Sequence, residues 1–153
     1  MTLEEAIRTR HSVRQYTEQP IEAEKIQQLQ DLIDECNREG DLHIQLVTDE
    51  PKAFASGIAH YSKFRGVRNY IAMIAKKGDD INLGYYGEKV VLLAQCLGLN
   101  TCWVAKFVFI LHDNNKVEAQ TRFTLINGYA PIDLGIAKCH FEIGAGKENF
   151  QWM

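Results

Sequence analysis

The segment RTRHSVRQY, residues 8–16, gathers the side chains of this sequence that are best suited to binding an anion. This basic segment contains three arginines, a histidine and a serine, and it has no carboxylate. If the backbone after Arg10 is extended, the side chains of Arg10, Ser12 and Arg14 point to the same side. Two guanidinium groups and one hydroxyl would then converge, which suits the oxygens of a phosphate monoester.

The preceding helix offers a second interpretation of two of these arginines. Thr2 and Glu5 have the spacing of a capping box, which predicts a first helix that ends near Arg10. Cations close to the C-terminus of a helix stabilise it by about 0.3–1 kcal/mol each. This effect accounts for Arg8 and Arg10, but it does not account for Arg14, which lies beyond the helix.

The composition excludes several other kinds of site. Seventeen Lys and Arg against twenty Asp and Glu give a net charge of −3, whereas nucleic-acid binders need an excess of positive charge. The five histidines and four cysteines show no metal-ligand spacing, so no metal site is predicted. No Ser-His-Asp, Cys-His or paired-carboxylate arrangement stands out, and we therefore predict no catalytic side chain.

The length and hydropathy of the chain predict its domain organisation and its cellular location. A chain of 153 residues fits one domain, which we place at residues 1–153. The N-terminus has no signal-peptide core, and no stretch reaches the about 20 apolar residues of a membrane span. We expect a cytoplasmic protein that contacts neither membranes nor nucleic acid.

Hydrophobic periodicity and turn residues predict the elements that must position the basic segment. After the first helix, the sequence predicts a helix opened by Pro20 and ended by Gly40, with an apolar stripe of Ile26, Leu29, Leu32, Ile33 and Cys36. It then predicts a strand over residues 41–49, a short helix from Pro51 to about His60, a strand over 67–76, and strands over 101–111 and 121–130 separated by a loop. This order predicts a single α/β or α+β sandwich with mixed strands.

A further predicted helix contains an unusually apolar stretch from Val90 to Leu97, broken only by Gln95. A helix with so little polar surface must be covered on several sides. In so short a chain a second subunit would supply that cover, which favours a homodimer. Cys96 and Cys102 lie in apolar runs, so we expect them to be buried and unreactive.

Two segments of the sequence resemble the FMN-dependent nitroreductase family. RTRHSVRQYTEQPI is similar to its N-terminal signature, Arg-x-Ser-x-Arg-x-aromatic followed by Pro-Ile. GYYGEKVVLLAQCLGLNTCWVA resembles the buried dimer helix and following strand of one branch of the family. VRNYIAMIAKKG and LINGYA fit other strands, and the resemblance covers about residues 2–130.

The resemblance implies an α+β homodimer with a nitroreductase-like α/β/α sandwich and a mixed, mainly antiparallel sheet. It implies an FMN-dependent oxidoreductase that uses NAD(P)H to reduce nitroaromatics, quinones or similar electron-poor acceptors. The cofactor-binding residues that it implies are Arg10, Ser12 and Arg14 for the phosphate and ribityl chain, with His11, Asn69, Trp103, Val104 and Lys138 as further contacts.

Some of these residues also have a purely structural interpretation. Asn69 fits equally a strand residue with a local hydrogen bond, and Trp103 fits a core residue whose neighbouring backbone passes the flavin. Tyr85, Tyr86 and Glu88 are interpreted as residues that cap and pack the start of the apolar helix.

The sequence departs from the family pattern in three places. After residue 130 the family's basic continuation is missing, and Lys138, followed by His140, is the nearest candidate cation. We also expect this chain to lack the further helical C-terminal part that is common in the family. Residues 106–117 match weakly. The family element Ala-Pro-Ser-x-Asn-x-Gln-Pro is absent, and Asn37 is the one residue in that region of the sequence that matches it. These departures leave an alternative open, a shortened flavin-binding or interaction protein with little or no reductase activity.

Overall fold

The computed structural model describes residues 1–54, 63–104, 108–112, 116–120, 130–146 and 148. Within these residues the elements are, in chain order, α1 (Leu3–Thr9), α2 (Ala23–Gly40), β1 (His43–Val47), β2 (Tyr70–Ala75), α3 (Asp80–Cys96), β3 (Val108–His112), β4 (Lys116–Gln120) and α4 (Ala130–Ala145). A 3-10 turn at Pro51–Phe54 follows β1. The chain is α+β, as predicted, and no helix in the described ranges is long and apolar enough to cross a membrane.

The strands form one mixed sheet in the order β1-β2-β3-β4. The pairs β1–β2 and β3–β4 are antiparallel, and the central pair β2–β3 is parallel. Parallel neighbours need a crossover connection, and α3 lies on the chain between β2 and β3. The mixed, mainly antiparallel sheet was therefore predicted correctly, while the α/β/α layering stays a prediction.

The first two helices begin and end close to the predicted residues. Thr2 and Glu5 form the capping box, and Arg10 is the C-cap of α1. Gly40 is the last residue of α2, but Asp41, with φ 51°, takes the left-handed position after it. A Cβ on Gly40 would lie 2.6 Å from the ring of Tyr86. Glycine is required there for helix packing rather than for backbone conformation.

The largest group of buried side chains lies where α2, α3 and β1 meet. It includes Leu29 and Ile33 of α2, Val90 and Ala94 of α3, and Ile44 of β1. The apolar stripe predicted for α2 accounts for its contribution. Helix α2 and the sheet thus pack against one side of α3, and the other faces of α3 contact α1 and α4.

The first residues of the apolar stretch need no second subunit to cover them. Val90, Val91 and Leu92 are at most 4% exposed within one chain. The cover comes from the chain itself, because α4 packs along α3, and Leu92 contributes to a cluster with Cys139. A Cβ on Gly84 of α3 would lie 2.1 Å from the carbonyl oxygen of Ile132, so the two backbones come into direct contact.

The C-terminal half differs most from the sequence-based prediction. Residues Ala130–Ala145, for which the sequence predicts no helix, form a helix. The strand β4 lies at Lys116–Gln120, next to the predicted loop. The strand predicted over 121–130 falls, except for Ala130, outside the described residues, as do positions 55–62 of the helix predicted after Pro51. Residues 105–107 of another predicted strand are also outside them, and its first four residues, 101–104, form no strand.

The cysteines are also distributed differently from the prediction. Cys36 and Cys139 are buried, whereas Cys96 and Cys102 are only partly buried. The apolar runs around Cys96 and Cys102 indicated buried side chains, but an apolar run does not fix the burial of each residue in it.

Candidate functional site

The basic segment leaves α1 at Arg10 with an extended backbone (φ −61°, ψ 132°). Hydrogen bonds then hold its path from two sides. The N–H of Val13 donates to the carbonyl of Thr101 at 3.0 Å, and the N–H of Tyr16 donates to the carbonyl of Arg65 at 3.0 Å. The segment is therefore fixed between the chain after α3 and the chain before β2, and it presents its polar side chains from a defined backbone.

Tyr16 reinforces this arrangement with its side chain. Its hydroxyl donates to the carbonyl of Val13 at 2.6 Å. Burial raises the pKa of Tyr16 to about 12, and the nearby Cys102 adds to this rise, so the hydroxyl stays protonated and continues to donate near neutral pH. Gly66, with φ +71°, lies so close that a Cβ there would be 2.4 Å from the carbonyl oxygen of Tyr16.

Burial along the segment does not follow the predicted two-residue alternation. Arg10, Val13 and Tyr16 are partly buried, a spacing of three, while His11, Ser12 and Arg14 are exposed. Arg10 therefore lies partly buried toward the interior, and Ser12 and Arg14 lie at the surface. The convergence of these three side chains on one ligand stays a prediction.

Arg10 lies beside a buried carboxylate on α3. Glu88 is 1% exposed, and its Oε1 lies 3.8 Å from Nε of Arg10. The same carboxylate accepts hydrogen bonds from Nε1 of Trp103 at 2.7 Å and from Nε2 of His140 at 3.0 Å. These four residues, the Glu88 cluster, come from the end of α1, from α3, from the chain after α3 and from α4.

The Glu88 cluster depends on a glycine one position earlier. A Cβ on Gly87 would lie 2.8 Å from the indole ring of Trp103 and 2.7 Å from the sulfur of Met73. The missing side chain lets the indole lie against α3, where its N–H reaches Glu88. A buried carboxylate is costly unless it is paired and hydrogen-bonded, and the two ring donors with Arg10 meet that need.

Sequence reasoning missed the role of Glu88. Glu88 lies in the middle of α3, so it does not cap the helix as interpreted above. The available signal was a single carboxylate followed by a nearly uninterrupted apolar stretch, since such a residue is buried with partners or not buried at all. Nothing in the sequence indicated that His140 and Trp103 are those partners.

Two buried polar atoms have no hydrogen-bond partner within the described part of the chain. They are Nη1 of Arg10 and Oγ1 of Thr101. Both lie where the basic segment meets residues 101–103, since Thr101 accepts from Val13 and the neighbouring Trp103 shares Glu88 with Arg10. Unpaired buried groups cost about 1–3 kcal/mol each. A guanidinium N–H and a hydroxyl are both groups that can donate to the acceptor oxygens of an anion.

Asn69 is used locally in the structure. Its Oδ1 accepts from the N–H of Asp49 at 3.0 Å, across the connection between β1 and β2. Arg68 forms an ion pair with the Asp49 side chain. The structural interpretation of Asn69 therefore applies to its oxygen, and a flavin contact would have to use its amide N–H groups.

Three of the predicted flavin contacts, His11, Val104 and Lys138, lie near members of the Glu88 cluster in the sequence. His11 is exposed, with Nδ1 3.2 Å from the carbonyl oxygen of Thr9, and Val104 directly follows Trp103. Lys138 lies on α4 two residues before His140. That separation is about 200° around a helix, so the face of α4 that reaches Glu88 carries His140 rather than Lys138.

A cleft of about 280 Å³ lies elsewhere on the molecule. Phe54 and Phe64 line it together with the charged side chains of Glu18 and Arg68. No residue of the Glu88 cluster and none of the predicted flavin contacts lines this cleft, so it is separate from the candidate site.

The family model described as "Putative TM nitroreductase" matches residues 2–107 and 105–145. The match spans most of the chain, and the protein belongs to this nitroreductase family, which points to an oxidoreductase. Among curated proteins and among solved structures, nothing matches the chain. Because the family match extends through α4, the expected departure from the family after residue 130 is wrong as far as residue 145.

Proposed function

We propose that this protein is an FMN-dependent oxidoreductase that uses NAD(P)H to reduce nitroaromatics, quinones or similar electron-poor acceptors. The observation that carries the proposal is the buried Nη1 of Arg10, which has no partner among the described residues and belongs to the basic segment of a nitroreductase-family chain. As part of the same proposal, residues 1–153 form one FMN-binding domain of a cytoplasmic protein.

The residues around Arg10 fit a phosphate group. Nη1 of Arg10 and Oγ1 of Thr101 are donors without partners among the residues that the structure describes, and a hydroxyl and a second guanidinium follow at Ser12 and Arg14. The charge of Arg10 is offset by Glu88, so the net positive charge of the proposed site would come from Arg14. Guanidinium groups bind phosphate oxygens in a bidentate manner, and charge-assisted bonds of this kind are about twice as strong as neutral ones.

The chemistry would come from the cofactor. FMN, when bound, supplies hydride transfer between the nicotinamide and the acceptor. The task of the chain is then to bind and orient, and it needs no acid–base side chain. Trp103 is well placed for orientation because its hydrogen bond to Glu88 fixes the indole, and the adjacent backbone of Trp103 and Val104 is held with it. His11, Asn69 and Lys138 remain proposed contacts.

A homodimer is also part of the proposal. Its support is no longer α3, which the chain itself covers. Leu134 of α4 is 51% exposed, and Ala137, one turn further along, is exposed as well. A second copy of the chain would cover this apolar strip in a two-fold contact.

Sedimentation at low micromolar concentration tests the dimer. Leu134→Glu should shift the protein toward monomer, and the neighbouring exposed substitution Asp133→Asn should not. A wild-type protein that sediments as a monomer while it holds flavin would remove the dimer from the proposal.

The alternative of a flavin-binding protein without reductase activity has lost its main support. That alternative depended on a C-terminal segment that departs from the family, and the family match includes residues 105–145. What remains is to measure turnover directly.

Two measurements separate these cases. The absorbance spectrum of the purified protein and release of its flavin establish whether FMN is bound. Oxidation of NADPH and NADH with a nitroaromatic or a quinone then distinguishes a reductase from a binding protein. We expect bound FMN and acceptor-dependent oxidation, and an apoprotein that does not bind added FMN would refute the proposal.

A further inference from the structure

We propose that Glu88 is a positioning residue of the flavin phosphate site, whose carboxylate directs the Arg10 guanidinium so that Nη1 is presented to the phosphate. This inference rests on the proposed function. It adds to it a residue that touches neither the cofactor nor the acceptor.

The carboxylate itself is held rigidly. Its Oε2 accepts from Nε1 of Trp103 at 2.7 Å, and its Oε1 accepts from Nε2 of His140 at 3.0 Å. Both donors are rings, which have few rotatable bonds, and they come from different elements. With each oxygen bound separately, the carboxylate cannot rotate without breaking a hydrogen bond.

The rigid carboxylate in turn faces one edge of Arg10. Nε of Arg10 lies 3.8 Å from Oε1 of Glu88, while Nη1 of the same planar group is buried and has no partner among the described residues. Because a guanidinium is planar and rigid, an attraction that holds its Nε edge also sets the direction of Nη1. The arginine is thereby kept in one orientation before any ligand arrives.

The contact to Arg10 explains why position 88 carries a charge. A glutamine at 88 could still satisfy Trp103 and His140, since an amide oxygen accepts and an amide nitrogen can face the imidazole in its other tautomer. At 3.8 Å the contact with Nε is an ion pair rather than a hydrogen bond. Its strength depends on the negative charge, which only the carboxylate provides.

The test measures the affinities of FMN and riboflavin separately by fluorescence titration of apoprotein. Glu88→Gln should weaken FMN binding about tenfold, by analogy with residues that orient metal ligands, and should leave riboflavin binding unchanged. The double variant Glu88→Gln/Arg10→Ala should bind FMN no more weakly than Arg10→Ala alone, because both changes remove one interaction. Glu39→Gln, an exposed carboxylate that faces Lys89, is the matched control and should change neither affinity.

The possible results are distinguishable. If Arg10→Ala weakens FMN binding but Glu88→Gln leaves it equal or tighter, the positioning role is wrong and the proposed function stands. If Glu88→Gln weakens FMN and riboflavin equally, its role is only structural and the inference is also overturned. If the wild type binds FMN no better than riboflavin, the phosphate site itself fails, and the inference fails with it.

A second variant covers the case in which Glu88→Gln does not fold. Glu88→Asp keeps the charge but withdraws the carboxylate from Arg10 by one methylene. It should lower the ratio of FMN to riboflavin affinity in the same direction by a smaller factor. An unchanged ratio in folded Glu88→Asp together with a weakened Arg10→Ala would overturn the inference.

Discussion

The basic segment and the Glu88 cluster share Arg10 but differ in every other respect. The basic segment is continuous in sequence and mostly exposed, and its chemistry is evident from residue types alone. The Glu88 cluster is buried and is assembled from four parts of the chain. On the proposed function, the segment would supply charge for the ligand, and the cluster would orient one of those charges.

The largest effect should come from removing the centre of the cluster. Glu88→Ala leaves the Trp103 and His140 donors and the Arg10 charge without their partner, and breaking a buried pair in this way costs about 3–5 kcal/mol of unfolding free energy. Urea unfolding of the apoprotein measures it. Glu39→Ala, at an exposed carboxylate, should stay within about 0.5 kcal/mol of the wild type. Equal losses of unfolding free energy in the two variants would mean that the Glu88 cluster contributes no more to stability than an exposed carboxylate does.

The basic segment should instead affect ligand binding. Arg10→Ala or Arg14→Ala removes a charge-assisted contact worth about 1.5–3 kcal/mol, which corresponds to roughly 10- to 150-fold weaker FMN. Riboflavin, which lacks the phosphate, should hardly respond to either change. Arg8→Ala is the control, because stabilisation of the end of α1 accounts for that residue. Equal FMN affinity in all three variants and the wild type would reduce the segment to a solvated helix end.

The glycine that admits Trp103 links the two regions. Gly87→Ala places a Cβ 2.7 Å from the Met73 sulfur and 2.8 Å from the Trp103 ring. Overpacking of this kind costs about 1–3 kcal/mol and should separate the indole from Glu88, which thermal unfolding and tryptophan fluorescence can follow. At Gly144 of α4 an added Cβ meets nothing within 4 Å. Gly144→Ala should therefore be neutral or slightly stabilising, and a similar loss at both sites would contradict the packing argument.

The smallest effect concerns the thiols. Burial raises the pKa of Cys36 to about 11 and that of Cys139 to about 12. Both should resist thiol reagents at pH 8, whereas the partly buried Cys96 and Cys102 should react first. Mass spectrometry of the labelled native protein gives the order, and early labelling of Cys139 would show that α4 does not stay packed on α3.

The same shifts predict how stability depends on pH. The unfolded chain loses its thiol protons near the ordinary value of 9.0, before the folded chain does. The stability contributed by the two buried neutral thiols is therefore complete below pH 9.0 and declines as the pH rises toward the folded values. Cys139→Ser should reduce this alkaline decline in urea unfolding measured between pH 8 and 10, and an unaltered decline would assign it to other groups.

Several features of this protein follow from the sequence alone because they depend on neighbours in the chain. The capping box of Thr2 and Glu5, the end of α2 at Gly40 and the buried stripe of α2 each come from local spacing. The basic segment is likewise local, and its resemblance to the nitroreductases is confirmed by the family match. The mixed strands followed from the order of these elements, and the α+β class followed from the family resemblance.

Other features were decided only by the tertiary structure, because they depend on contacts between residues that are far apart in the chain. Helix α4 covers α3. The two helices approach closely at glycines, and local sequence patterns do not reveal these contacts. Glu88 is acceptable in the interior only because Trp103 and His140 arrive there from other elements. Under the proposed positioning role, the orientation of Arg10 depends on these contacts of Glu88. The charge of a side chain follows from its residue type, whereas its direction depends on the groups that the fold places beside it.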